Sequence, residues 1–246
     1  MKNVKNTQST KTTNTTKNVK KQLLAALVLL VALAVAFGSF LLFRPEADGG
    51  GSGTRALPDP ASDARVVRDD SHRLTEPAGS RVTVVEFLDF ECEACGAFHP
   101  VMDRLKKEYG DRVTFVARYF PMPGHRNSGS AARAAEAAAR QGRFREMHDK
   151  LFTTQAQWGE AREPKDSVFR AYARELGLDM ARYDTDVASE RTAERVAVDQ
   201  RDGLALGVQG TPTFFVDGEK TSPRGYEDFK ALIEGRLNEG GLNEEG

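Results

Sequence analysis

Cys92 and Cys95 are the only cysteines in this 246-residue chain, and they stand three residues apart in VEFLDFECEACGAFHP, Val85 to Pro100. An apolar run ends just before them and a helical pattern begins with them. A helix N-terminus carries about half a positive charge and unpaired backbone N–H groups. A thiolate at Cys92 would be stabilised there, its pKa would fall, and it would become a nucleophile. Cys95 lies nearly one turn further in, on the apolar stripe, close enough to close a small disulfide with Cys92. Thiol–disulfide exchange then divides naturally: Cys92 meets a partner's sulfur and Cys95 resolves the mixed disulfide. Other uses fit less well. A zinc site takes four ligands, two more than one Cys-x-x-Cys supplies. His72, His99, His125 and His148 have no finger spacing, so no metal is expected. A structural disulfide across so short a loop contributes little.

The neighbours extend this chemistry. Glu86 interrupts the apolar run on the face of Val84 and Leu88. Buried there, its carboxyl would have a raised pKa and would relay a proton to or from Cys95. The competing reading is an edge-strand glutamate facing water. His99, one turn past Cys95, either tunes the thiols or is a partly exposed helix histidine. Pro100 falls inside the helix and should kink it. Far downstream, GVQGTPTFFVDG (Gly207 to Gly218) places Thr211-Pro212 directly before a strand. That bond is a candidate cis peptide. Gly210, Thr211 and Pro212 would leave a backbone edge free to pair with an extended peptide.

The elements that must position these residues are legible. VTVVEFL is too short for a helix and reads as a strand buried on both faces. Cys95, Phe98, Met102, Leu105 and Tyr109 then recur at helical spacing until Gly110. VTFVARYF, from Val113, is a second strand, so the crossover makes a parallel βαβ unit. A long helical block follows: a helix capped at Asn127 or Ser128 and ended by Gly142, then Phe144 to Phe152, Ser167 to Leu176, one capped by Asp179, and Glu190 to Leu206. Thr213 to Val216 is a strand, Asp217-Gly218 a hairpin turn, and Phe229, Leu232, Ile233 and Leu237 a closing helix. The fold class is α/β, in the order βαβ, helical block, ββα.

Charge is unevenly spread. Residues 1–44 hold Lys2, Lys5, Lys11, Lys17, Lys20, Lys21 and Arg44, while all 36 acidic residues lie beyond them. The body has no basic patch interleaved with aromatics, which argues against nucleic acid. Leu23 to Phe43 is uncharged and almost wholly apolar, and at about 1.5 Å per residue it matches a bilayer core. Preceding lysines place the N-terminus in the cytoplasm and the body outside. A cleaved signal peptide would have a shorter apolar region, about 7–15 residues, and an A-x-A-like site, which GSFLLFRPE does not offer. No lipobox cysteine exists. The expected organisation is a disordered tail at 1–21, a single-pass anchor at 22–43, a flexible linker at 44–78 in which Val66 and Val67 could add an edge strand, a catalytic body at 79–240, and a disordered tail at 241–246.

With FLDFECEACGAFHP (Phe87 to Pro100), PMPGHRNS (Pro121 to Ser128), AARAAEAAARQGRFREMHDKLF (Ala131 to Phe152) and GVQGTPTFFVDG in view, the chain resembles the thioredoxin superfamily, and within it the membrane-anchored DsbA-like thiol–disulfide oxidoreductases of Gram-positive envelopes. Such proteins carry an acid six residues before the first cysteine and a proline eight after it, where Glu86 and Pro100 stand. The resemblance implies a thioredoxin-like fold with a helical insertion at 124–206 and a cis Pro212 facing the disulfide. It also implies oxidation of thiols in reduced, unfolded secreted proteins by the Cys92–Cys95 disulfide, without other cofactor. A quinone-linked membrane oxidase of the DsbB or vitamin K epoxide reductase-like type would reoxidise it. Strong oxidants of that family often have Pro-His between the cysteines; here Glu93-Ala94 stands instead. A carboxylate beside the thiolate opposes the helix dipole and raises the Cys92 pKa, which implies a milder oxidant. Disulfide reduction or isomerisation, and tethered peptide binding at Pro212, are the alternative activities.

Overall fold

The computed structural model describes residues 64–242. The apolar span at Leu23 to Phe43 and the tail beyond Leu242 lie outside the described residues. Among the described residues no helix is long and apolar enough to cross a membrane.

The elements are β1 (His72–Thr75), β2 (Val82–Leu88), α1 (Glu93–Tyr109), β3 (Val113–Tyr119), α2 (Ser128–Ala139), α3 (Phe144–Thr153), a 3-10 turn (Gln155–Gln157), α4 (Asp166–Glu175), α5 (Met180–Ala188), α6 (Glu190–Ala205), β4 (Thr213–Val216), β5 (Glu219–Thr221) and α7 (Tyr226–Leu242). The five strands form one sheet in the order β1-β3-β2-β4-β5. β2 and β3 run parallel, and every other pair is antiparallel. Asp217 and Gly218 make the β4–β5 turn with φ of 49° and 82°, the left-handed conformation that a two-residue hairpin needs.

Both faces of β2 are covered, as its apolar run requires. Val84 and Leu88 enter the main core with Met102 and Leu105 of α1. Val85 and Phe87 point the other way, into a smaller cluster with Phe120, Val208 and Phe215. Here α6 comes so close that a Cβ on Gly203 would lie 2.7 Å from the Phe120 ring. On the main face Phe98, Phe214 and Phe229 stack α1, β4 and α7 together, with ring centroids 4.7–6.2 Å apart. Within the insertion, α2 touches α3, α4, α5 and α6. Its buried Ala131, Ala134, Ala135 and Ala138 are small enough to let those helices close in.

Two expectations need correction. The added edge strand is His72–Thr75, not Val66 and Val67. Leu74 anchors it in the core, and the Thr75 hydroxyl donates to the Val113 carbonyl at 2.8 Å and accepts the Phe115 N–H at 3.0 Å. Residues 64–78 are therefore part of the fold rather than of a free linker. The reason is Arg118, fully buried at the end of β3. It donates to Asp199 (2.6 Å), Asp202 (2.5 Å) and the carbonyls of Arg65 and Val66 (2.9 and 2.7 Å). Arg68 closes the network with a two-pronged contact to Asp202 at 2.5 and 2.7 Å.

Removing one partner from a buried ion network strands the others without compensation. Arg118→Ala should therefore cost about 3–5 kcal/mol, read as a lowered urea midpoint with an unchanged slope.

Candidate active site

β2 ends at Leu88 and the chain turns through Asp89 to Glu91, with the Cys92 N–H donating to the Asp89 carbonyl at 3.1 Å. Cys92 is the N-cap of α1, in extended conformation (φ −69°, ψ 120°). Its carbonyl accepts the first helical bond, from Gly96 N–H at 3.0 Å, so its sulfur sits over the open first turn. Cys95 is fully buried and Cys92 only 9% exposed. Both thiols are free.

The two sulfurs are driven apart in acidity. A hydrogen bond from the Cys95 thiol lowers Cys92 to about 5, against the opposing effect of burial, with further help from Thr211 and the N–H groups of Cys95 and Ala94. Cys95 is pushed well above the usual thiol range, first by burial and then by its bond to Cys92 and the nearby Glu86 carboxyl. At neutral pH Cys92 is thus a thiolate and Cys95 its proton donor.

Thr211-Pro212 is cis and meets the sulfur. The Cys92 thiol donates to the Thr211 carbonyl at 3.3 Å. The Thr211 hydroxyl is buried without another partner and is free to donate to the sulfur once the proton has gone. Gly210 supports this turn by accepting the Thr213 hydroxyl at 2.7 Å. Gly210, Thr211 and Pro212 are all partly exposed, leaving an edge beside the thiolate.

Glu86 is buried, 5% exposed, and so does not face water. Burial raises its carboxyl to about 8, eased by Lys106 of α1 and worsened by the Cys92 charge. It acts on Cys95 through its field. Glu93 and Ala94 are exposed. The Ala94 N–H helps the thiolate, while the Glu93 carboxylate is not among the groups that dominate the Cys92 pKa. His99 also departs from both sequence readings. It is neither exposed nor a leading influence on the thiols; it is buried and its ring stands against His148. Pro100 is accommodated inside α1, which continues to Tyr109.

Several residues that the linear sequence does not single out also build the site. Gln155, from the 3-10 turn, donates to the carbonyls of Phe90 (2.7 Å) and Cys92 (2.9 Å). The buried Glu91 carboxylate accepts the N–H groups of Asn127 (2.5 Å) and Glu160 (3.0 Å). Asp89 accepts from Glu91 N–H, Met122 N–H and His125 Nδ1 at 2.8, 2.9 and 2.6 Å. Partial burial opposes the His125 charge, but Asp89 and the Cys92 charge outweigh it and raise the imidazole's pKa. The one signal available was the run of acids around the cysteines; their partners lie in loops dozens of residues away. A cavity of about 420 Å³ lined by Glu91, Glu93, Gln155, Ala156, Gly159 and Glu160 adjoins the first turn of α1.

A five-stranded sheet with a dithiol at a strand–helix junction, opposed by a cis X-Pro bond, defines a thioredoxin-like fold with a helical insertion. The family model described as "Thioredoxin" matches residues 77–235, and the chain belongs to that family. Among solved structures it is similar to a thioredoxin-like oxidoreductase from Silicibacter pomeroyi DSS-3, with a TM-score of 0.60, 25% identity, and 74% of this chain and 99% of that one covered. It shares its fold with alpha-DsbA1 of Wolbachia pipientis, with a TM-score of 0.65 at 16% identity over 72% and 96% of the two chains. Among curated proteins it is 35% identical over 196 residues to the Na(+)/H(+) antiporter NhaA of Herminiimonas arsenicoxydans. That match takes in 78% of this chain but only 29% of the antiporter.

The acidities have opposite signs for stability. Cys92, depressed in the folded state, stabilises the reduced protein most above about pH 9, and the benefit is gone below about pH 5. Glu86, raised, favours the fold below about pH 4.5, and that benefit is lost as pH rises through about 8. Glu86→Gln should therefore stabilise the protein at pH 8 by on the order of a few kcal/mol, with no gain at pH 4, as denaturant titrations at the two pH values would show. In the reduced protein, thiolate absorbance should titrate near pH 5 and vanish from that range in Cys92→Ser.

Proposed function

We propose that this chain is a membrane-tethered, extracytoplasmic thiol–disulfide oxidoreductase that gives its Cys92–Cys95 disulfide to thiols of reduced secreted proteins. The observation that carries it is the split acidity of the two sulfurs. A substrate thiolate attacks Cys92 Sγ of the disulfide, and Cys95 Sγ leaves with the electron pair. Cys95 then takes up a proton, for which the neutral Glu86 carboxyl is a source. A second substrate thiolate attacks the substrate sulfur of the mixed disulfide, and Cys92 leaves as a thiolate. Its low pKa makes it a good leaving group in that step. The substrate is oxidised by two electrons and the enzyme reduced by two.

The partly exposed Gly210–Pro212 edge would hold the substrate backbone beside the sulfur. A membrane oxidase coupled to quinone, of the DsbB or vitamin K epoxide reductase-like type, would restore the disulfide. The apolar span at Leu23 to Phe43 supports anchorage, with the N-terminus in the cytoplasm. A Cys92 pKa of about 5 supports an oxidant milder than one with a pKa near 3.5.

The reduction potential, set by equilibration with glutathione, tests the direction. A value of about −120 to −180 mV is expected of an oxidant. A value near −270 mV would overturn the oxidase reading in favour of a reductase fed electrons across the membrane. Cys92→Ala should abolish exchange, and Cys95→Ala should accumulate mixed disulfides with substrate. Full activity in Cys92→Ala would leave only peptide binding at Pro212.

A further inference from the structure

A second cluster of chemically capable side chains lies where α1 crosses α3. His99 of α1, one turn beyond Cys95, meets His148 of α3, with ring centroids 5.5 Å apart. They are 7% and 2% exposed. Both ring nitrogens of His99 and Nε2 of His148 are buried without a hydrogen-bond partner. Buried polar atoms are nearly always paired, and one ion takes a single nitrogen from each ring, so the unpaired His99 Nε2, which faces Asp149, is the atom that calls for a ligand.

Carboxylates complete the cluster. Asp149 Oδ1 stands 3.0 Å from His148 Nδ1 and 3.9 Å from His99 Nε2, and Asp103 Oδ2 stands 3.5 Å from His99 Nε2. One ligand atom from each of His99, His148 and Asp149 falls within 4.8 Å of the other two. Tetrahedral zinc with bonds of about 2.0–2.2 Å holds its ligand atoms roughly 3.3–3.6 Å apart, so the site would have to close by about 1 Å around an ion. The floor is aromatic: Phe152 stacks on His99 at 5.1 Å, and Phe90 meets His148 edge-on at 5.7 Å. The mouth is open, because the Asp149 and Asp103 side chains are 50% and 35% exposed.

We propose that His99, His148 and Asp149 form a binding site for a divalent transition-metal ion of the zinc class, with water completing its coordination. Two imidazoles and one carboxylate are the donor set such ions prefer. Asp103 is left outside the core set because Lys106 Nζ holds its other oxygen at 2.7 Å. That ammonium opposes a cation at the site and tempers its affinity. The ion would staple α1 to the helical insertion from a ligand one turn away from Cys95.

Zinc alone, titrated calorimetrically into the full chain, tests the site. The protein is kept oxidised, so that the Cys92–Cys95 disulfide withdraws both thiols as competing ligands. One equivalent should bind and raise the melting temperature. Asp149→Asn, at a half-exposed position that leaves the core intact, should weaken binding at least about tenfold, and His99→Gln should do the same. No zinc binding by the oxidised wild-type chain would overturn the proposal. So would binding of equal strength in Asp149→Asn and His99→Gln, which would place the ion elsewhere.

Discussion

A bare thiolate in a mostly buried position is unstable unless donors surround it, and the architecture here is arranged around that constraint at Cys92. The sulfur stands at the open first turn of α1, accepts a hydrogen bond from the Cys95 thiol, and faces Thr211. None of these partners is local in the same sense. α1 points at the sulfur because β2 ends there and the parallel β2–β3 pairing sends the crossover helix back over the sheet. Thr211 arrives because β4 runs antiparallel to β2 with Phe87 opposite Thr213, which brings the turn before β4 to the end of β2. A one-residue slip in that register would turn the alternating side chains of β4 to the wrong faces and carry the Thr211 carbonyl away from the sulfur.

The opposite pole of the site is Glu86, a carboxyl in the core beneath the dithiol. Its charge and that of Cys92 raise each other's cost, since each is an anion in the same low-dielectric region. Burial is the larger cause of the raised Glu86 carboxyl, and Lys106 of α1 favours its ionised form. Around this centre the insertion is no ornament: Gln155, Asn127 and Glu160 all bond to the stretch from Phe90 to Cys92.

Much of this was legible in the sequence because its signals are local. The unbroken apolar VTVVEFL, the helical period from Cys95 to Tyr109 and Asp217-Gly218 correspond to β2, α1 and the β4–β5 turn. Asp179 caps α5 by accepting from the Ala181 and Arg182 N–H groups. What escaped depends on contacts across the fold. HRLT carries no apolar alternation, and it is a strand because His72, Arg73 and Thr75 pair with β3 while Leu74 enters the core. Glu86 showed its place by interrupting an apolar strand, whereas Lys106 looks like any lysine on a helix surface. His99 and His148 come together only once α1 and α3 cross, so no spacing along the chain could announce them. Glu93 is next to Cys92 in the sequence but exposed, and the leading influences on the thiolate are Cys95, burial, Thr211 and backbone amides.

Gly96 carries a consequence of another kind. A Cβ there would lie 2.2 Å from the Gln155 side-chain oxygen, in the space through which that amide reaches the Cys92 carbonyl. The missing side chain is what allows the insertion to touch the backbone of the nucleophile at all. The residue after Cys95 and a residue more than fifty positions later are therefore sterically coupled: a side chain at 96 requires the Gln155 amide to move aside. The active-site motif of this chain is in that sense longer than its four residues, and part of it is written in the insertion.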